Sequence, residues 1–106
     1  MSESSVSRRY PRMKSPKGLC VAWQDTTRKW VSYVDKLGLG GLFIRTKGPP
    51  AVGTFIQLLI DIPGGGVRAR AIVRDTKPDD GMGVGIVSMS QEDRQRLSAF
   101  LKQLPS

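Results

Sequence analysis

Between residues 54 and 75 the chain alternates apolar and polar positions with a strand's period. Ile56, Leu58, Ile60 and Ile62 share one face against Gln57 and Asp61, and Val67, Ala69, Ala71 and Val73 share another against Arg68, Arg70 and Arg74. Alternation of this kind marks strands with one buried face and one wet face. Shorter apolar runs add four candidates, so strands are predicted over 18–24, 28–35, 40–46, 54–62, 67–75 and 82–89. They are separated by Asp25-Thr26-Thr27, Gly48-Pro49-Pro50, Pro63-Gly64-Gly65-Gly66 and Pro78-Asp79-Asp80-Gly81, whose residues turn chains for steric reasons. Short strands protect their edges best by closing on themselves, which predicts a six-stranded antiparallel β-barrel.

After residue 89 the period changes. Ser90-Gln91-Glu92-Asp93 has a serine cap and an acidic first turn, and Leu97, Phe100, Leu101 and Leu104 follow at helical spacing. A C-terminal helix is therefore predicted over 90–104, with its narrow apolar stripe covering a mouth or flank of the barrel. At the other end, residues 1–17 are polar, basic and broken by Pro11 and Pro16, which reads as a flexible arm. The expectation is one all-β domain over 1–106, made of the arm, a barrel over 18–89 and the helix.

Composition narrows the chemistry. Lys and Arg number 17 against 9 Asp and Glu, a net charge of +8, which favours an anionic partner without naming it. There is no histidine and only one cysteine, Cys20. A histidine-based triad, a zinc site and an internal disulfide are all excluded. Cys20 lies in the run Leu19-Cys20-Val21-Ala22-Trp23 and is expected to pack. Asp79 and Asp80 are accounted for by a turn and Glu92 and Asp93 by the helix start, so no enzyme and no metal or catalytic cofactor is expected. With no apolar run of membrane length and no secretory leader pattern, a cytoplasmic protein without a membrane span is the default.

The candidate chemistry lies in the arm and in a glycine turn. Arg8, Arg9 and Arg12 carry rigid donor forks suited to phosphate and to guanine O6/N7. Gly38-Leu39-Gly40-Gly41 would let a flat base or a phosphate approach the backbone. Of the aromatics, Trp23, Trp30, Tyr33, Phe43 and Phe55 are expected in core or inter-strand packing, whereas Tyr10 has no core to enter and is available to stack on a base or to anchor the arm.

The succession of Arg8-x-x-x-Arg12, Gly40-Gly41-Leu42-Phe43-Ile44, Val52-Gly53-Thr54, Gly81-Met82-Gly83-Val84-Gly85 and Ser90-Gln91-Glu92-Asp93-Arg94 resembles the PilZ domain family over residues 8–104. That family comprises bacterial cyclic di-GMP receptors built on a six-stranded barrel with a C-terminal helix. The resemblance implies that Arg8 and Arg12, with Arg9 as a further basic residue, grip the guanines and phosphates of cyclic di-GMP. The family's second motif, Asp/Asn-x-Ser-x-x-Gly, is not met in full. Aligning Gly41 to its last position puts Gly38 at the serine and Lys36 at the acid; aligning Asp35 to its first position puts Leu37 at the serine and Gly40 at the end. A one-residue bulge would restore Asp35 to a guanine edge, and Gly38 would bring the base close and expose a backbone N–H. Outward-facing Arg70 and Arg74 are further candidate ligand contacts on the basic surface.

Three readings follow. The first is a cyclic di-GMP receptor that changes conformation on binding and regulates an unidentified effector protein in motility, exopolysaccharide production or secretion. The second is a degenerate module of the same fold that binds proteins but not the nucleotide. The third, least favoured, is a basic small barrel that binds nucleic acid.

Overall fold

A computed structural model describes residues 13–104, and Arg8, Arg9, Tyr10 and Arg12 lie outside the described residues. In chain order the elements are β1 (Met13–Lys14), β2 (Cys20–Gln24), β3 (Lys29–Leu37), β4 (Gly41–Arg45), β5 (Phe55–Ile62), β6 (Gly65–Lys77), β7 (Gly81–Met89) and α1 (Gln91–Lys102). The strands pair antiparallel in the order β3-β2-β5-β6-β7-β4, and a β3–β4 ladder closes the ring. This is the predicted six-stranded barrel. β1 is an addition: it pairs with β3 through Met13↔Leu37 and Lys14↔Lys36, on the edge of β3 that β2 occupies further back.

The barrel encloses the core that the alternation foretold. Ile56, Leu58, Ile60 and Ile62 from β5 and Val67, Ala69, Ala71 and Val73 from β6 meet Val21, Trp23, Leu37, Leu42, Ile44, Met82 and Val84 inside. The Trp23 indole N–H donates to Ser32 Oγ at 3.0 Å, satisfying the one polar atom that side chain brings. Turn chemistry sets the connections. Asp25 Oδ1 accepts from the N–H groups of Thr27 and Arg28 at 2.8 Å each and folds the β2–β3 hairpin. Pro63 and Gly64 join β5 to β6, with Gly64 at φ +94° where a bulkier residue would be strained.

α1 is capped as predicted, with Ser90 Oγ accepting from Asp93 N–H at 3.1 Å. Leu97 and Phe100 are buried, and Leu101 and Leu104 pack half-buried against the same core. Arg96 staples the helix to the barrel, donating to Asp93 Oδ1 at 2.6 Å and to the Gly66 carbonyl at 3.0 Å.

Two expectations are corrected. Trp23 is fully inside and stacks on Trp30 across the β2–β3 ladder at 6.2 Å, and Phe55 lies under Arg70 of the neighbouring strand at 4.4 Å, the inter-strand packing expected of them, whereas Tyr33 is 63% exposed and departs from it. β propensity puts an aromatic in a strand without choosing its face. Cys20 is half-buried beside the buried Leu19 and Val21, and its thiol reaches the Gly18 carbonyl at 3.4 Å.

Candidate ligand-binding site

The outer wall formed by β3, β4, β7 and β6 has glycines at its centre, covered by the side chains of Phe43 and Arg74. Met82 and Val84 point into the core, so Gly81, Gly83 and Gly85 alternate outward. Their β4 partners are Arg45, Phe43 and Gly41, which makes Gly41 and Gly85 neighbours, and all four glycines are buried, with Arg74 lying over Gly85 and the Phe43 ring against Gly81. A turn leads into this floor: Gly38 N–H donates to the Gly41 carbonyl at 2.9 Å, and the Gly40 carbonyl accepts from Ile86 N–H at 2.9 Å. The Gly38 N–H expected to face a ligand is therefore used inside the turn, because the hairpin needs that bond to close.

Two candidate residues stand on bulges. In the β3–β4 ladder the register shifts between Val34↔Ile44 and Lys36↔Phe43, leaving Asp35 as the extra residue. In the β6–β7 ladder it shifts between Val73↔Val84 and Asp75↔Gly83, leaving Arg74 as the extra residue. A bulge re-aims a side chain that the pleat would otherwise fix. Arg74 lies across Gly85, so a Cβ built there would fall 2.2 Å from Arg74 Nε. Asp35 turns outward and leans toward Arg45, 3.8 Å away, while Arg45 also holds Asp80 at 2.9 Å. Lys77 lies 5.8 Å over the Phe43 ring, adding a cation to the same wall.

The incoming chain is tied to this place. Ser15 N–H donates to the Asp35 carbonyl at 3.1 Å, and Ser15 Oγ donates to the Val34 carbonyl. Both acceptors belong to the bulge. Met13 is paired with Leu37, one residue from the glycine turn, and Arg12 is bonded to Met13. The structure thus gathers Asp35, Gly38, Gly41 and Arg74 on one wall and brings the start of β1 to it, while Arg8, Arg9 and Arg12 lie outside the described residues.

Leu37 is fully buried in the core and has no surface to offer a ligand. Gly38, the serine position of the other alignment, is buried too, so both motif alignments stay open. Sequence reasoning passed over Gly85, Arg45 and Ser15. Glycine at every second position from 81 to 85 is a legible sign of a strand face stripped of side chains, and the alternation around Ile44 turns Arg45 outward. Nothing local marks Ser15, whose partners are nearly twenty residues on.

The PilZ domain model matches residues 7–103. The chain belongs to the PilZ domain family. No curated protein matches it. Among solved structures, the Bacillus subtilis inhibitor of motility MotI/DgrA superposes with a TM-score of 0.73 at 19% identity, over 91% of this chain and 50% of that one. The PilZ domain of YcgR from Escherichia coli, solved with cyclic di-GMP, gives 0.70 at 16% identity, over 90% and 89%. The K. pneumonia MrkH complex with cyclic di-GMP gives 0.72 at 13% identity, over 90% and 51%. The chain therefore spans about half the length of MotI and MrkH. At these identities the likeness carries the fold. PilZ domains are ligand-binding receptor and adaptor modules rather than enzymes, and this PilZ barrel has the family's closed ring and C-terminal helix. Among its described residues no helix is long and apolar enough to cross a membrane.

Proposed function

We propose that this PilZ domain binds cyclic di-GMP between its N-terminal arm and the glycine-floored wall, and passes the change to a partner protein. Arg8, Arg9 and Arg12 grip guanine edges and phosphates, Asp35 accepts from a guanine N1/N2 edge, Gly38 and Gly41 admit the base, and Arg74 adds a cation above Gly85. The observation that carries this reading is the convergence of Asp35, Arg74 and the start of β1 on one face, where two bulges and a two-residue strand are needed to bring them together. The ligand's two phosphodiester charges match a wall that offers Arg74 over Gly85 and Lys77 over the Phe43 ring.

Calorimetric titration tests it. Cyclic di-GMP gives saturable heat with the wild type, and Arg8→Ala or Arg12→Ala removes a charge-assisted contact of roughly 1.5–3 kcal/mol, weakening binding about tenfold to a hundredfold. Absence of heat with the wild type at millimolar ligand ends the reading. The second reading, a protein-binding module indifferent to the nucleotide, draws on Gly38: the second motif's serine hydroxyl is missing there, and the Gly38 N–H is already bonded to Gly41. It predicts partner capture that survives both arginine substitutions.

A further inference from the structure

The opposite wall of the barrel, over β3, β2, β5 and β6, has a different character. Outward positions align across the ladders as Val31–Ala22–Leu59–Arg68 and, one step along, as Lys29–Gln24–Gln57–Arg70. Val31 is 72% and Leu59 37% exposed, and small Ala22 between them makes a trench. Two depressions of ≈ 420 and ≈ 490 Å³ meet there, sharing Ala22, Val31, Leu59 and Arg68. Lys29, Arg68 and Arg70 rim the trench, with Asp61 at one end and Asp93, already paired with Arg96, at the other. Neither Lys29 nor Arg68 is held in an ion pair among the described residues. An apolar floor with unneutralised cations calls for an occupant that is apolar in the middle and acidic at its flank.

The mode of docking follows from closure. At the floor of the trench Ala22 and Leu59 are hydrogen-bonded to strands on both sides, so the floor itself has no edge open for strand addition. A helix, whose own backbone is satisfied, enters by side chains alone. Four strands span about 14 Å, close to the length of ten helical residues. We propose that this wall docks an amphipathic helix of a partner protein, with aliphatic residues seated between Val31 and Leu59 and Glu or Asp facing Lys29 and Arg68. This does not rest on the nucleotide reading, since no residue of the glycine-floored wall takes part.

The test uses two synthetic helices of about 14 residues with the same leucine face, one flanked by glutamate and one by lysine, titrated into isotope-labelled protein without nucleotide. The glutamate helix is expected to shift the amide signals of Ala22, Val31 and Leu59 saturably and to bind at least about tenfold tighter than the lysine helix. Leu59→Lys should abolish the shifts, and Lys29→Glu with Arg68→Glu should invert the preference. Equal affinity for the two helices, shifts elsewhere, or no shifts overturns the proposal. So does dependence of the same signals on protein concentration alone, which would assign the wall to a second copy. Stronger shifts from a single-stranded oligonucleotide would assign it to nucleic acid and overturn the proposal equally.

Discussion

The two outer walls of this barrel share only β3 and β6 and ask different things of a partner. On the β4–β7 side the centre is backbone: Gly41 faces Gly85, Gly83 faces Phe43, and the flanking strands reach in with residues displaced by bulges. On the β2–β5 side the ladders of β2 run without a shift, and the centre is Val31, Ala22 and Leu59. Where only long side chains such as Arg74 cover glycine backbone, a flat and rigid molecule can reach the peptide planes by displacing them. Where small and branched side chains remain, a trench forms that suits another protein's aliphatic residues. The β2 ladders beneath the trench are thus regular, although β6 shifts against β7 once more beside its rim, between Arg70 and Ala71.

The contrast is sharpest in the arm. Replacing both Arg8 and Arg12 with alanine should weaken cyclic di-GMP by about a hundredfold or more while leaving the glutamate-helix affinity unchanged. Calorimetry with each ligand measures both, and a joint loss would merge the two walls. Next come two glycines of one strand. A Cβ at Gly81 would sit 2.4 Å from the Ile44 carbonyl and 2.6 Å from the Phe43 ring, so Gly81→Ala should destabilise the fold by about 1–3 kcal/mol in urea denaturation. At Gly85 the obstructing atoms belong to the flexible Arg74 side chain, so Gly85→Ala should cost under about 0.5 kcal/mol yet weaken the nucleotide several-fold by lifting that guanidinium away. Equal stability losses at the two positions would refute the placement of Arg74.

Filling the trench by Ala22→Leu should remove the helix peptide and leave nucleotide affinity untouched, as paired titrations would record. The smallest effect concerns pH. The Thr27 N–H, joined by Arg28, holds the Asp25 carboxyl below its ordinary range despite partial burial. A lowered folded value means the turn's contribution is complete above the ordinary carboxylate pKa and is lost as pH falls through the folded one. Melting curves between about pH 6 and about pH 2.5 should therefore show a slightly shallower acid decline in Asp25→Asn, with nucleotide affinity at neutral pH unaffected.

Much of this architecture was legible in the residues. Strict alternation in β5 and β6 named eight core positions, all buried, and Ser90 announced its helix. The alternation succeeds because one-sided burial leaves a direct trace in composition. Faces of half-wet aromatics leave none: Tyr33 and Phe55 suit a strand equally well on either side. The bulge at Asp35 was foreseeable only from a motif one residue out of step, and the one at Arg74 arises from closing non-local ladders, which no local window records. β1 is two residues long and exists only because β3 has an open stretch beyond the end of β2. The candidate wall could thus be named by residue type, while its floor of alternating glycine needed the register to become visible.

Closure of the ring has a mechanical corollary. A hoop in which every ladder is engaged stretches or shears only by breaking several bonds together, so it makes a poor transmitter and a good anvil. Anything bound to such a ring would have to be read on its outer surface, from the wall that holds it.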